Sequence, residues 1–88
     1  MESLLHVPLK DIKPDPEQPR KHFDKDALRE LADSIRAKGV VQPILVRKNP
    51  EGDTDYMIIA GERRWQASQI AGIDTIPAVL VTDSEKLS

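Results

Sequence analysis

The stretch that decides the fold is YMIIAGERRWQA, residues 56–67. Its first five residues, Tyr56–Ala60, form an apolar run with β-branched residues that is typical of a strand. From Glu62 the pattern predicts a helix that continues to Ala71 and ends at Gly72, a residue type that often terminates helices. A strand that passes through Gly61 directly into a helix favours an α/β fold.

This junction has the chemistry of an anion site. The first turn of a helix presents unsatisfied backbone N–H groups and about half a positive charge, and Gly61 lets a ligand approach the backbone. Arg63 and Arg64 lie in that turn, where each cation is unfavourable by about a few tenths of a kcal/mol unless an anion is present. A bound phosphate would remove this conflict. The alternative is that Glu62 or a nearby aspartate pairs with the arginines in weak surface salt bridges.

A second candidate segment is GVVQP, residues 39–43. Gly39 is expected to end the preceding helix in a left-handed conformation, which would let Val40 fold back on Ile35 as in a Schellman motif. That structural role accounts for Gly39, so the hint of function lies in Gln42, a polar residue where the next strand begins. A turn residue would produce the same pattern.

The preceding helix carries the best local signal in the chain. We predict that it runs from Asp24 to Lys38, with Asp24 as N-cap and Phe23 placed to pack on Leu28 as a hydrophobic staple. Residues at i, i+3, i+4 and i+7 form one apolar stripe. We expect this stripe to lie in the core against the hairpin described next; it comprises Leu28, Leu31, Ala32 and Ile35.

The remaining segments complete a small sheet. Ile44–Arg47 and Tyr56–Ala60 predict an antiparallel hairpin, and Thr75–Val81 predicts a last strand. Leu5–Leu9 alternates as a short edge strand, whereas residues 13–20 contain three prolines and are interpreted as an extended connector. We therefore predict one compact α/β domain over residues 1–88: a small mixed sheet with an antiparallel hairpin and two packed helices.

The composition excludes several kinds of site. Without cysteine the chain has no disulfides, thiolate metal ligands or thiol nucleophile. His6 and His22 lack the spacing of metal ligands, so we predict no metal site and no catalytic residue. The net charge of −2 disfavours autonomous binding to duplex DNA. Because there is neither a signal peptide nor an apolar run of about 18 residues, we expect a cytoplasmic protein without membrane contact.

Three segments occur in the order and approximate spacing of one family: Gln18-Pro19-Arg20, residues 39–47 and residues 60–67. Together they resemble the N-terminal domain of ParB-type partition proteins, and the resemblance covers Val7–Val81. The same superfamily includes sulfiredoxin, so the resemblance implies a ParB/sulfiredoxin-like domain.

The resemblance implies a clamp protein whose N-terminal domain binds CTP and, in the complete protein, hydrolyses it while sliding on centromere-like DNA. The nucleotide-binding residues implied by this analogy lie on three loops. Gly61, Glu62, Arg63 and Arg64 would cradle the triphosphate, Gly39 and Gln42 would also line it, and Gln18 and Arg20 would lie near the nucleotide and its base.

Family members continue beyond the last strand into parts that these 88 residues do not include. Those parts are a Glu-Asn motif that helps to hold the metal and the triphosphate, a helix-turn-helix that reads DNA, and a dimerisation domain. The resemblance therefore implies a monomeric, inactive piece of a dimeric chromosome or plasmid partition protein. Magnesium, CTP hydrolysis, DNA binding and contact with a partner partition ATPase would belong to that parent.

Three other functions are weighed against nucleotide binding. Sulfiredoxin chemistry requires a cysteine near the turn, where this chain has Glu62 and Arg63. A ParB-like nuclease would need clustered carboxylates for metal ions, whereas Asp53 and Asp55 lie in the predicted hairpin turn. An interaction module that recruits a partner ATPase without binding nucleotide remains the main alternative.

Overall fold

A computed structural model of the chain describes residues 3–16 and 23–82. It contains two helices, five strands and one short 3-10 helix in an α/β arrangement. The elements are β1 (Ser3–Pro8), the 3-10 helix (Leu9–Asp11), β2 (Ile12–Pro14), α1 (Lys25–Lys38), β3 (Ile44–Lys48), β4 (Tyr56–Ala60), α2 (Glu62–Ala71) and β5 (Thr75–Leu80).

The five strands form one mixed sheet in the order β1-β5-β3-β4-β2. The predicted hairpin is confirmed: β3 and β4 pair antiparallel, with an irregularity in register between Leu45 and Val46. β5 is parallel to β3 and antiparallel to β1, and β2 is parallel to β4. The main core covers one side of this sheet and consists of Val7, Leu9, Ile12, Ile44, Val46, Ile58, Ile76 and Ala78.

The prediction of a connector over residues 13–20 is wrong at its start, because Lys13 and Pro14 belong to β2. This strand occupies the edge of the sheet, a position that tolerates Pro14 because an edge strand has one unpaired side. Lys13 bridges from it to the β3–β4 turn, with Nζ 2.6 Å from Oε1 of Glu51 and 3.0 Å from Oδ2 of Asp53. The first strand also ends one residue earlier than predicted, since Leu9 begins the 3-10 helix.

The ends of α1 follow local chemistry. Oδ1 of Asp24 accepts a hydrogen bond from the backbone N–H of Asp26 at 3.3 Å, which confirms the N-cap. At the other end, the N–H of Gly39 donates to the carbonyl of Ile35 at 2.7 Å. The predicted left-handed conformation is wrong, because Gly39 has φ 77° and ψ −179°. That region is nevertheless essentially restricted to glycine, and Val40 does pack on the cluster that contains Ile35.

The stripe of α1 packs on α2, and the prediction that it packs against the hairpin is wrong. Leu28, Ala32 and Ile35 are buried together with Ala67 of α2. On the other side, α2 places Trp65 against the sheet core, so this helix separates the α1 stripe from the hairpin. Leu31 is only half-buried, at the edge of the stripe. Over residues 3–16 and 23–82, the structure has no helix long and apolar enough to cross a membrane.

Candidate functional site

At the β4–α2 junction, the backbone of Gly61 lies close against the side chain of Ile44. Gly61 is the N-cap of α2 and has φ 102°, a conformation that L side chains rarely adopt. A Cβ at this position would lie 2.6 Å from Cγ2 of Ile44, a side chain with no exposed surface. Glycine is therefore required here both by its conformation and by the packing of α2 on the first residue of β3.

A cleft of about 690 Å³ opens beside this junction. Its volume lies within the range of about 300–1,000 Å³ that is usual for small-molecule sites. Its lining combines apolar side chains with the polar first turn of α2. The lining residues are Phe23, Leu31, Gln42, Pro43, Leu45, Ile58, Ile59, Ala60, Gly61, Glu62, Arg63 and Arg64.

The guanidinium group of Arg64 lies over the start of its own helix. Nη2 donates a hydrogen bond to Oε1 of Gln42 at 3.1 Å, and Nη1 is 3.1 Å from the position that a Cβ on Gly61 would occupy. The backbone carbonyl of Arg64 accepts a hydrogen bond from Oγ of the fully buried Ser68 at 2.7 Å. The residue is thus fixed at its backbone and at the end of its side chain.

The positive charges at this junction are not compensated by carboxylates of the described residues. Oε2 of Glu62 accepts a hydrogen bond from Nε2 of Gln66 at 3.0 Å, one turn along α2. Within residues 3–16 and 23–82, no carboxylate forms an ion pair with Arg63 or Arg64. The described residues therefore do not form the salt bridges to Arg63 and Arg64 that were the alternative to a bound phosphate. Arg63, Arg64 and the N-terminus of α2 line a cleft of suitable size for an anionic ligand.

The structure brings together most of the residues implied by the family resemblance. Gln42, Gly61, Glu62, Arg63 and Arg64 all line the cleft. Gly39 is not in the lining and acts as the end of α1, so its role in binding stays a prediction. The other two predicted site residues, Gln18 and Arg20, and also His22, lie outside the described residues.

Sequence reasoning did not identify the apolar wall of the cleft. Leu31 was assigned to the core because it falls on the α1 stripe, and Phe23 was assigned only to the helix start. Leu45 was assigned only to the first strand of the hairpin, and the structure shows it exposed between the buried Ile44 and Val46. No local pattern indicates that these three side chains, from different elements, line one cavity.

The cleft does not by itself form a magnesium site. Magnesium prefers several oxygen ligands in octahedral geometry, and among the described residues of the lining Glu62 is the one carboxylate. In the part of the chain that the structure describes, no group of three or more histidine or acidic side chains could hold a metal ion. Any chemistry argued from these residues therefore rests on the helix terminus and the arginines.

Comparisons with known proteins identify the family of the chain. The family model of the ParB N-terminal domain matches residues 1–88. The chromosome-partitioning protein ParB of Myxococcus xanthus is 53% identical over 77 residues, which are 88% of this chain and 25% of that protein. The chain thus spans about a quarter of this relative's length.

Solved structures show the same fold. The C-terminally truncated ParB of Caulobacter crescentus in complex with CTP-gamma-S matches with a TM-score of 0.83 and 43% identity, over 93% of this chain and 47% of that one. The same protein complexed to the centromeric parS site matches with a TM-score of 0.83 and 44% identity, over 94% and 44%. Sulfiredoxin from Arabidopsis thaliana gives a TM-score of 0.76 at 30% identity, over 97% and 92%, which confirms the predicted fold class.

Proposed function

The chain belongs to the ParB N-terminal domain family, and from that premise we propose that it binds CTP in the cleft at the start of α2, as the nucleotide-binding domain of a chromosome-partition protein. The observation that carries the proposal is the pair of arginines, Arg63 and Arg64, which face this cleft at a helix N-terminus without a carboxylate partner among the described residues. The triphosphate supplies the negative charge that this arrangement favours.

The cleft offers different surroundings to the two parts of a nucleotide. Phosphate oxygens would accept hydrogen bonds from the N–H groups of the first turn of α2 and from the guanidinium groups. The nucleoside would lie toward the apolar wall that includes Phe23, Leu31 and Pro43. Preference for cytosine rests on the family and on the Caulobacter protein in complex with CTP-gamma-S.

The parent protein would use this domain as the nucleotide-responsive part of a DNA clamp. The Caulobacter protein was solved on its parS site, whereas this chain carries a net charge of −2. We therefore assign DNA reading, dimerisation, contact with a partition ATPase and magnesium-dependent hydrolysis to other parts of the parent. On this view the 88 residues bind CTP more weakly than the parent does, with negligible turnover.

Calorimetric titration of the chain with CTP, GTP, UTP and ATP, each with and without magnesium, tests the proposal. We expect saturable binding that is tightest for CTP. In a parallel nitrogen–proton NMR titration, the amide signals of Gln42 and Gly61–Arg64 should shift, and those of the β3–β4 turn should not. Absence of heat and of shifts at saturating CTP would reject nucleotide binding and leave the interaction-module alternative.

A further inference from the structure

We propose that Gln42 is a positioning residue, which holds the guanidinium of Arg64 over the mouth of the cleft without neutralising its charge. This inference rests on the proposed nucleotide function. The relevant contact joins Oε1 of Gln42 to Nη2 of Arg64 at 3.1 Å, across 22 positions in the sequence.

The loop that carries Gln42 is fixed on both sides. Val40 packs against the sheet core and against the α1–α2 cluster, and Ile44 is completely buried as the first residue of β3. Between them, Val41 points outward with 83% of its surface exposed. The backbone therefore directs Val40 into the core, Val41 to solvent and Gln42 toward the cleft, where it contacts Arg64.

The chemistry of the acceptor matters as much as its position. An amide oxygen accepts a hydrogen bond from a guanidinium group and leaves its positive charge intact, whereas a carboxylate at the same place would form an ion pair. A guanidinium has five N–H donors, and the structure uses the Nη2 group for Gln42. No described residue other than Gln42 accepts a hydrogen bond from this guanidinium, so its remaining donors can serve phosphate oxygens.

Fixing Arg64 before the ligand arrives reduces the conformational entropy that its long side chain loses on binding. Gln42 would thus act on nucleotide affinity through Arg64 and not through its own contact with the ligand. This mechanism predicts strong coupling between the two positions, since a residue that works only through a partner has no effect once that partner is removed.

The test is a double-mutant cycle measured by NMR titration with CTP, which extends to millimolar dissociation constants. We expect Gln42→Ala to weaken CTP binding about threefold to tenfold in the wild-type background, and by less than about twofold in the Arg64→Ala background. Thermal unfolding of each variant confirms that it is folded. An equal loss in both backgrounds would overturn the proposal and assign Gln42 a direct contact with the nucleotide.

Two further variants separate positioning from a structural role. Gln42→Glu keeps an acceptor but adds a negative charge that pairs with Arg64 and repels the triphosphate, so it should weaken binding more than Gln42→Ala at pH 7. The matched control, Val41→Glu, places the same charge on the neighbouring exposed residue and should change affinity less than about twofold. Equal losses in the two glutamate variants would overturn the proposal. Failure of the wild-type chain to bind CTP would instead reject the proposed function itself.

Discussion

The α-carbon of Gly61 lies so close to the side chain of Ile44 that a Cβ on the glycine would be 2.6 Å from Cγ2 and 2.9 Å from Cβ of the isoleucine. This contact joins the start of α2 to the start of β3. Arg64 lies in α2, and Gln42 lies in the loop just before β3. The position of the candidate phosphate site relative to the sheet is therefore set by a residue that has no side chain.

Replacing this glycine should destabilise the fold strongly. We expect Gly61→Ala to lower the free energy of unfolding by about 2–5 kcal/mol, because it combines a strained positive φ with overpacking against a buried side chain. Gly52→Ala is the matched control, since Gly52 has φ 82° but open space around its α-carbon. Urea denaturation should show the larger loss for Gly61→Ala. Equal losses would mean that strain alone, and not contact with Ile44, makes glycine necessary.

Removing the guanidinium of Arg64 should affect binding more than folding. Charge-assisted hydrogen bonds contribute about 1.5–3 kcal/mol each, so Arg64→Ala should weaken CTP binding roughly tenfold to a hundredfold. Calorimetry measures the affinity and circular dichroism the fold. Arg29→Ala, which removes an exposed arginine from α1, should leave the affinity unchanged. A similar loss in both variants would show that net charge, and not the site at α2, governs binding.

Two leucines of α1 should differ in their effect on stability. Leu28 is 7% exposed in the cluster with Ala67, so Leu28→Ala should cost about 2–5 kcal/mol of unfolding free energy. Leu31 was expected from its helical spacing to cost as much, but it is half-buried in the cleft wall, and Leu31→Ala should cost about 1–2 kcal/mol. Urea denaturation of both variants checks the order. The reverse order would place Leu31 in the interior.

The ion pairs of Lys13 should make stability depend on pH at both extremes. A hydrogen bond from Lys13, and a second from Asn49, hold the pKa of Asp53 below its ordinary value of 3.8. Because the folded-state pKa is lowered, this contribution is present above about pH 4 and is lost as the pH falls through the lowered value. Solvent screening at this exposed site keeps the effect small.

At alkaline pH, the contribution of Lys13 to stability is lost as the pH rises, which is the opposite direction to that of Asp53. Hydrogen bonds to Glu51, and then to Asp53, raise the pKa of Lys13 above its ordinary value of 10.5. Its contribution is complete below pH 10.5 and is lost as the pH rises through the raised value.

Urea denaturation of wild-type and Asp53→Asn chains across pH tests the acid range: the variant should lose less unfolding free energy as the pH falls. Asp55→Asn, at an exposed residue of the same turn, should retain the wild-type profile; a matching change there would exclude Asp53 as the source.

The sequence predicted both helices, the hairpin and β5, because each carries a local signal: a stripe, a cap or an apolar run between turn residues. It did not predict β2, because three residues are too few to show alternation. The hydrogen bonds that Lys13 of this strand donates also reach residues 38 and 40 positions away, which no local pattern indicates. Helical spacing correctly indicated that Leu28 and Ile35 are buried, but it could not indicate that α2 covers them.

The same distinction applies to the candidate site. The first turn of α2 was identified from Gly61, Arg63 and Arg64, which are neighbours in the sequence. The contact from Gln42 to Arg64 and the apolar wall at Leu31 depend on tertiary packing, because they join residues from separate elements. Chemistry encoded in one segment was predictable, whereas a cavity formed by several segments required the structure.

The pairing of the first and last strands determines how the domain would respond to a pulling force. Ser3 pairs with Leu80 and Pro8 with Thr75, so β1 and β5 are antiparallel, and the first residue of β1 lies beside the last residue of β5. Tension applied at residues 3 and 80 would load the interstrand hydrogen bonds one after another, starting beside Ser3, instead of all together. Because the hydrogen bonds break one at a time, we expect β1 to separate from β5 at a lower force than a strand pair whose hydrogen bonds are all loaded at once.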